Sequence, residues 1–168
     1  MARDVSLRVD VLAAVHLHST GQLPDRPFAF DGQSSLLLPS LGARVLYGTS
    51  LAALGGLRAG VLNFTAMDGL STNAFEAAAQ MGAGYHVEMA PNFRLTPWVA
   101  AELGVRTLGN VGSHTYFLLG AGATARADVT PSLSLLLEAA WFPVGYSAGF
   151  DAFLGNTGPR LGIGVGFF

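Results

Sequence analysis

The residues that could do chemistry fall into three groups. The first is "VHLHST", which supplies His16, His18 and Ser19, with His114 further along in "GSHTY". A histidine beside a hydroxyl, with an acid in reach, is the arrangement that lets imidazole act as base in an acyl transfer. Against that reading, Ser19 directly follows His18, and such residues are common as solvated groups at the base of a loop. The second group is ionic. Arg8, Arg44, Arg58, Arg94, Arg106 and Arg126 are matched by Asp10, Glu76, Glu88, Glu102, Asp128 and Glu138, six of each sign. The third is aromatic: Phe28, Phe30, Tyr146, Phe150 and Phe153 in segments that read as loops. Two other signals dissolve on inspection. "GAGATA" followed by Glu138 imitates a dinucleotide motif, but the motif needs a helix opening at its glycines. Asp25, Asp31, Asp68 and Asp151 are too dispersed for a calcium site. No cofactor and no metal is expected.

The elements that carry these groups show themselves in "NAFEAAAQMGAGYHVEMAPN", residues 73 to 92. Its composition favours helix. Its order does not: Glu76, Gln80, His86 and Glu88 share even numbers, while Phe75, Ala77, Ala79, Met81, Ala83, Tyr85, Val87 and Met89 share odd ones. That period of two belongs to a strand with one polar and one apolar face. The same alternation runs through Val5–Leu17, about 35 to 47, about 53 to 64, 93 to 107, 115 to 129, 133 to 143 and the closing "RLGIGVGFF". Eight strands are predicted. Tight connections ("GTSLA", "APN", "TPS") alternate with longer ones at 19 to 33, 65 to 73, 108 to 114 and 144 to 158. This is the order of an antiparallel up-and-down barrel with short turns at one end and long loops at the other.

Composition narrows the setting. The chain has 168 residues, one domain's worth, with 51% hydrophobic and 12% charged residues, about half the usual charge content. It has no Lys and a net charge of −2, so a nucleic-acid partner is not expected. It has no Cys, so disulfides and thiolate sites are excluded. No stretch reaches the roughly 20 uninterrupted apolar residues of a membrane helix. "MARDVSLRVD" lacks the apolar core of a signal peptide, and the expectation is a mature form.

Alternation alone does not say which face is inside. Three features put the charged face inward. Its other members are small, many of them Gly. Its charges balance, as buried charges must. The apolar face carries aromatics at both strand ends: Phe75, Phe117 and Trp141 near the long loops, and Tyr47, Phe93 and Phe167 near the short turns. Two aromatic girdles mark a membrane barrel. Trp98 and Phe142 lie on the inward parity beside prolines, where local bulges could turn them out. Phe168 falls on the glycine face, either shifted by a bulge or trailing beyond the sheet. His86 reads as a hydrogen-bonding interior residue.

The eight alternating segments and the terminal "GIGVGFF" resemble small eight-stranded outer-membrane barrels of the OmpA and OmpX type, over the whole chain of 1–168. The resemblance is architectural and rests on no family-specific motif. It implies a closed eight-stranded antiparallel transmembrane β-barrel in the bacterial outer membrane. Outer-membrane lipid and the barrel-assembly machinery would be its partners. It also implies a structural or surface-interaction role, with a protein, lipid or glycan met by loop residues Phe28, Phe30, Tyr146, Phe150 and Phe153. The Arg/Glu set is expected as a polar core. A narrow pore is one alternative. The other is a lipid A-modifying enzyme using the rim histidines, although the deacylase His-x-Ser spacing is missing.

Overall fold

The computed structural model describes residues 6–19, 35–65, 71–108, 112–148 and 159–168. They form β1 (Ser6–Ser19), β2 (Ser35–Gly48), β3 (Leu51–Thr65), β4 (Ser71–Tyr85), β5 (Val87–Ala90), β6 (Phe93–Leu108), β7 (Gly112–Thr130), β8 (Leu133–Ala148) and β9 (Pro159–Phe167). Every pairing is antiparallel, in the order β4-β3-β2-β1-β9-β8-β7-β6-β5, and β4 also pairs with β6. That last pairing closes the sheet. Closure leaves no edge, as a sheet in lipid requires.

β4 and β5 are two segments of one wall strand, so nine segments make eight walls. Both pair with β6 in continuous register, Gly84 opposite Trp98 and Val87 opposite Leu95. Between them, the β6 positions across from Tyr85 and His86 are Pro97 and Thr96. Pro97 has no N–H to give to the ladder. At the interruption the His86 N–H donates to the Ser50 carbonyl of the β2–β3 turn (2.7 Å), and His86 Nδ1 meets Thr96 Oγ1 (2.8 Å).

The alternation sorts as expected. Odd-numbered apolar residues face outward, Leu137 being 64% exposed, and Tyr47, Tyr85, Phe75 and Trp141 stand on the same outer surface. Even-numbered residues face the lumen, where Trp98 and Phe142 are buried rather than turned out. Pro143 does cause a bulge, with Leu119 opposite Val144 but Ala121 opposite Trp141. The extra β8 residue absorbs the proline and leaves Phe142 inside. The bulge also lets β8 continue, so Tyr146 is a strand position opposite Phe117, not a loop residue.

Glycine makes room for the interior rings. A methyl group placed on Gly122 would come within 2.5 Å of the Trp98 ring, and one on Gly120 within 2.5 Å of the Phe142 ring. Tyr116 lies over Gly104 in the same way. Each ring occupies the space that a side chain on the neighbouring strand would take. With Leu54, Ala78, Leu118 and Ala140 they form the apolar half of the lumen.

Candidate functional site: the charged lumen and its short-turn mouth

The polar half of the lumen is a single alternating run of charges. Arg106 binds Glu76 (2.6 Å), Glu76 also pairs with Arg58, and Arg58 binds Glu102 through Nε (3.0 Å). Glu102 takes Arg160 (2.9 Å), and Arg160 lies 3.8 Å from Glu138. Glu138 binds Arg44 (2.5 Å), Arg44 binds Asp10 (3.0 Å), and Asp10 pairs with Arg126. Cation follows anion at every step, and each of the eight walls contributes a member. Asp10 and Glu102 are fully enclosed, each 0% exposed. At that depth a carboxylate is tolerable only with its oxygens occupied.

Neutral groups complete the run. Tyr116 Oη accepts from Arg58 (3.1 Å) and donates to Glu102 (3.4 Å). Thr124 Oγ1 accepts from Arg44 and from the Trp98 indole (3.1 Å each) and donates to Glu138 (3.1 Å). The Arg160 guanidinium lies 4.6 Å over Phe142 and that of Arg106 5.2 Å over Tyr116, so the aromatic half faces the cations with its rings.

Ten of the twelve charges expected in the lumen are thereby in ion pairs. Arg94 pairs with Asp128 (3.2 Å) near the short-turn end, where both are partly exposed. Arg8 lies beside them. Glu88 is the correction: it belongs to the short β5 at the lip and is exposed. Arg160 was not among the expected members, although it shares the parity of Gly162, Gly164 and Gly166. With Arg160 in and Glu88 out, the described lumen holds seven Arg and five acids.

The interior is filled. Among the described residues, a cavity of about 30 Å³ lies between Leu12, Ser40, Arg44, Arg58, Gln80 and Glu138. It holds on the order of one or two water molecules.

The rim histidines have strand positions only: His16 stands opposite Arg160 and His114 opposite Arg106 in the backbone register. In the order of the sheet β9 and β8 stand between β1 and β7. Phe28, Phe30, Phe150 and Phe153 lie outside the described residues. His86, level with the β2–β3 turn and outside both segments of its wall strand, is half-buried. Burial holds its imidazole down at about 4, and the charges of Arg8, Arg126 and Arg94 add to the effect.

This closed geometry has known counterparts. Neisserial surface protein A matches with a TM-score of 0.69 at 15% identity, covering 98% of this chain and 99% of that one. The fold is that of the small eight-stranded outer-membrane barrels. Ail, the attachment invasion locus protein of Yersinia pestis, matches in complex with the heparin analogue sucrose octasulfate at a TM-score of 0.54 and 13% identity. That match covers 97% and 96% of the two chains. A second structure of Ail gives 0.52 at 10% identity, with the same coverage. No family model matches the chain, and no curated protein matches it in sequence. The agreement therefore lies in the barrel and not in a shared motif.

Proposed function

We propose that this protein is a non-conducting outer-membrane barrel that serves as a rigid stem, its role being to present the long-loop end to other molecules at the cell surface. The observation that carries this is the filled lumen. A run of nine charged residues drawn from every wall, backed by Trp98, Tyr116 and Phe142, leaves no path for a hydrated ion among the described residues. A barrel with no free interior does its work on its surfaces. The lipid of the outer membrane covers the apolar belt, and the barrel-assembly machinery inserts the chain.

The partner's chemistry follows from the connections at that end. Residues 20–34, 66–70, 109–111 and 149–158 contain four Asp and one Arg, with Phe28, Phe30, Phe150 and Phe153. Ail was crystallised with a polyanion. These connections are acidic and aromatic, a poor match for sulfated glycan and a better one for an apolar or cationic protein surface.

Two measurements test the reading together. In planar bilayers the refolded protein should give no conductance above the lipid baseline. On intact cells, tags placed at residues 28 and 152 should be labelled from outside. Discrete channel openings, lost in Glu102→Gln, would replace the stem with a pore. Changed lipid A in expressing cells, dependent on His16, His18 or His114, would replace it with an enzyme.

A further inference from the structure

The charge surplus of the lumen is concentrated at its periplasmic mouth. The alternating run begins and ends on arginine, and its last member, Arg126, shares Asp10 with Arg44. Directly opposite Arg126 in the β6–β7 ladder stands Arg94. Like charges face to face across a ladder repel. Asp128 relieves Arg94 (3.2 Å), but Arg8 has no carboxylate within ion-pair distance among the described residues.

The guanidinium donors there are not used up. Arg8 Nε and NH1 and Arg94 NH1 are buried without a hydrogen-bond acceptor among the described residues. Phe168 holds them in place from one side: its ring lies 4.9 Å from the Arg8 guanidinium, 5.6 Å from that of Arg126 and 5.7 Å from that of Arg94. Phe168, just past the end of β9, is thus a cover over three cations. Beside it, Arg8, Arg94, Asp128, Thr130 and Phe168 line an open cavity of about 530 Å³ between the β5–β6 and β7–β8 turns. That volume is in the range of small-molecule sites, larger than a bare ion needs.

We propose that this mouth is a binding site for a phosphate group, held by the unused guanidinium donors of Arg8 and Arg94, with the rest of the ligand against Phe168. Guanidinium groups with unused N–H donors suit an oxyanion, and its charge offsets that of Arg8, which has no ion-pair partner among the described residues. Phosphate reaches this end of the barrel from two sources, the headgroups of the inner leaflet and soluble phosphates of the periplasm.

The test uses the full chain refolded in octyl glucoside and labelled with ¹⁵N-arginine, so that only nine side-chain Nε–H signals appear. It is titrated with inorganic phosphate, with dihexanoylphosphatidylglycerol, and with sodium chloride at matched ionic strength. Saturable shifts of the Arg8 and Arg94 signals with either phosphate probe, absent with chloride, support the site. Saturation by inorganic phosphate assigns a soluble ligand, and saturation by the lipid alone assigns a headgroup. Arg8→Gln should weaken binding ~10- to 100-fold while the heat-modifiable gel band persists. If that variant does not fold, Arg8→Lys keeps the charge, loses the planar guanidinium and its Nε–H donor, and should still weaken binding. No saturable shift with either probe, equal shifts with chloride, or unchanged affinity in the folded variant would overturn the proposal.

Discussion

Replacing Glu102 with glutamine tests whether the lumen charges act as a connected structure. Glu102 is fully enclosed and is the shared partner of Arg58 and Arg160, with Tyr116 donating to it as well. Glutamine has nearly the same shape, so packing is preserved and the change is in charge. Arg58 keeps Glu76, but Arg160 keeps only Glu138 at 3.8 Å. Removing one partner of a buried ion pair costs ~3–5 kcal/mol, because the other charge stays buried without it. Here two cations are affected, which places the expectation in the upper part of that range.

Asp128→Asn is the internal standard. Its pair with Arg94 lies at the mouth, 18% and 22% exposed at the two side chains, so water screens it more than the enclosed Glu102 and its loss should cost less. The assay is reversible unfolding in urea from lipid vesicles, followed by tryptophan fluorescence and by gel mobility. A double variant, Glu102→Leu with Arg160→Met, removes one charge of each sign and should regain most of the loss. A Glu102→Gln protein within ~0.5 kcal/mol of the parent, or no less stable than Asp128→Asn, would refute the reasoning: the lumen would then behave as a hydrated interior.

Three further perturbations address other parts of the barrel. Leu137→Arg puts a charge on the outward face and should cost ~2–4 kcal/mol in vesicles if placed near the bilayer centre; unchanged stability would mean that this face does not meet lipid. Gly122→Val drives a side chain into the Trp98 ring and the Ala139 carbonyl and should cost ~1–3 kcal/mol, with a shifted tryptophan emission as the accompanying sign. For His86 the folded value of about 4 lies below the ordinary 6.5, so the folded barrel favours the neutral ring. Its contribution is complete above pH 6.5 and is lost as the pH falls from there toward 4. His86→Gln should flatten that part of the stability profile, and a slope that persists unchanged would assign it to another group.

Much of this fold is legible in the sequence because a barrel wall has a period of two and a closed sheet imposes it everywhere. Even positions face inward from Asp10 on β1 to Gly166 on β9. What parity does not carry is the local consequence of proline. Pro97 interrupts β4 from across the ladder, a cause that lies in another strand. Pro143 produces a bulge that keeps Phe142 inside, because Gly120 leaves room for its ring, and the alternation cannot choose between that and a ring turned out. Glu88 has the inward parity but sits past the interruption, where the wall is too short to enclose it. Arg160 needed only the parity of its glycine neighbours to be found.

Partners are less legible than faces, for a physical reason. Four links of the charge run join adjacent strands: Asp10 with Arg44 and Glu76 with Arg106, each pair directly opposite in its ladder, and Arg58 with Glu76 and Arg160 with Glu138, each pair on a diagonal. These could be guessed from strand order and register. The links Arg160–Glu102, Arg44–Glu138 and Arg126–Asp10 join walls three apart around the barrel. They exist only once the sheet has closed. Glu102 has its cations, Arg58 and Arg160, only across the lumen, and Arg126 has Asp10 only there, so an open sheet leaves these charges short of a partner and closure satisfies them together. Such charges favour the complete barrel over partial ones. Arg8 lies beyond the end of that run, with no carboxylate within ion-pair distance among the described residues.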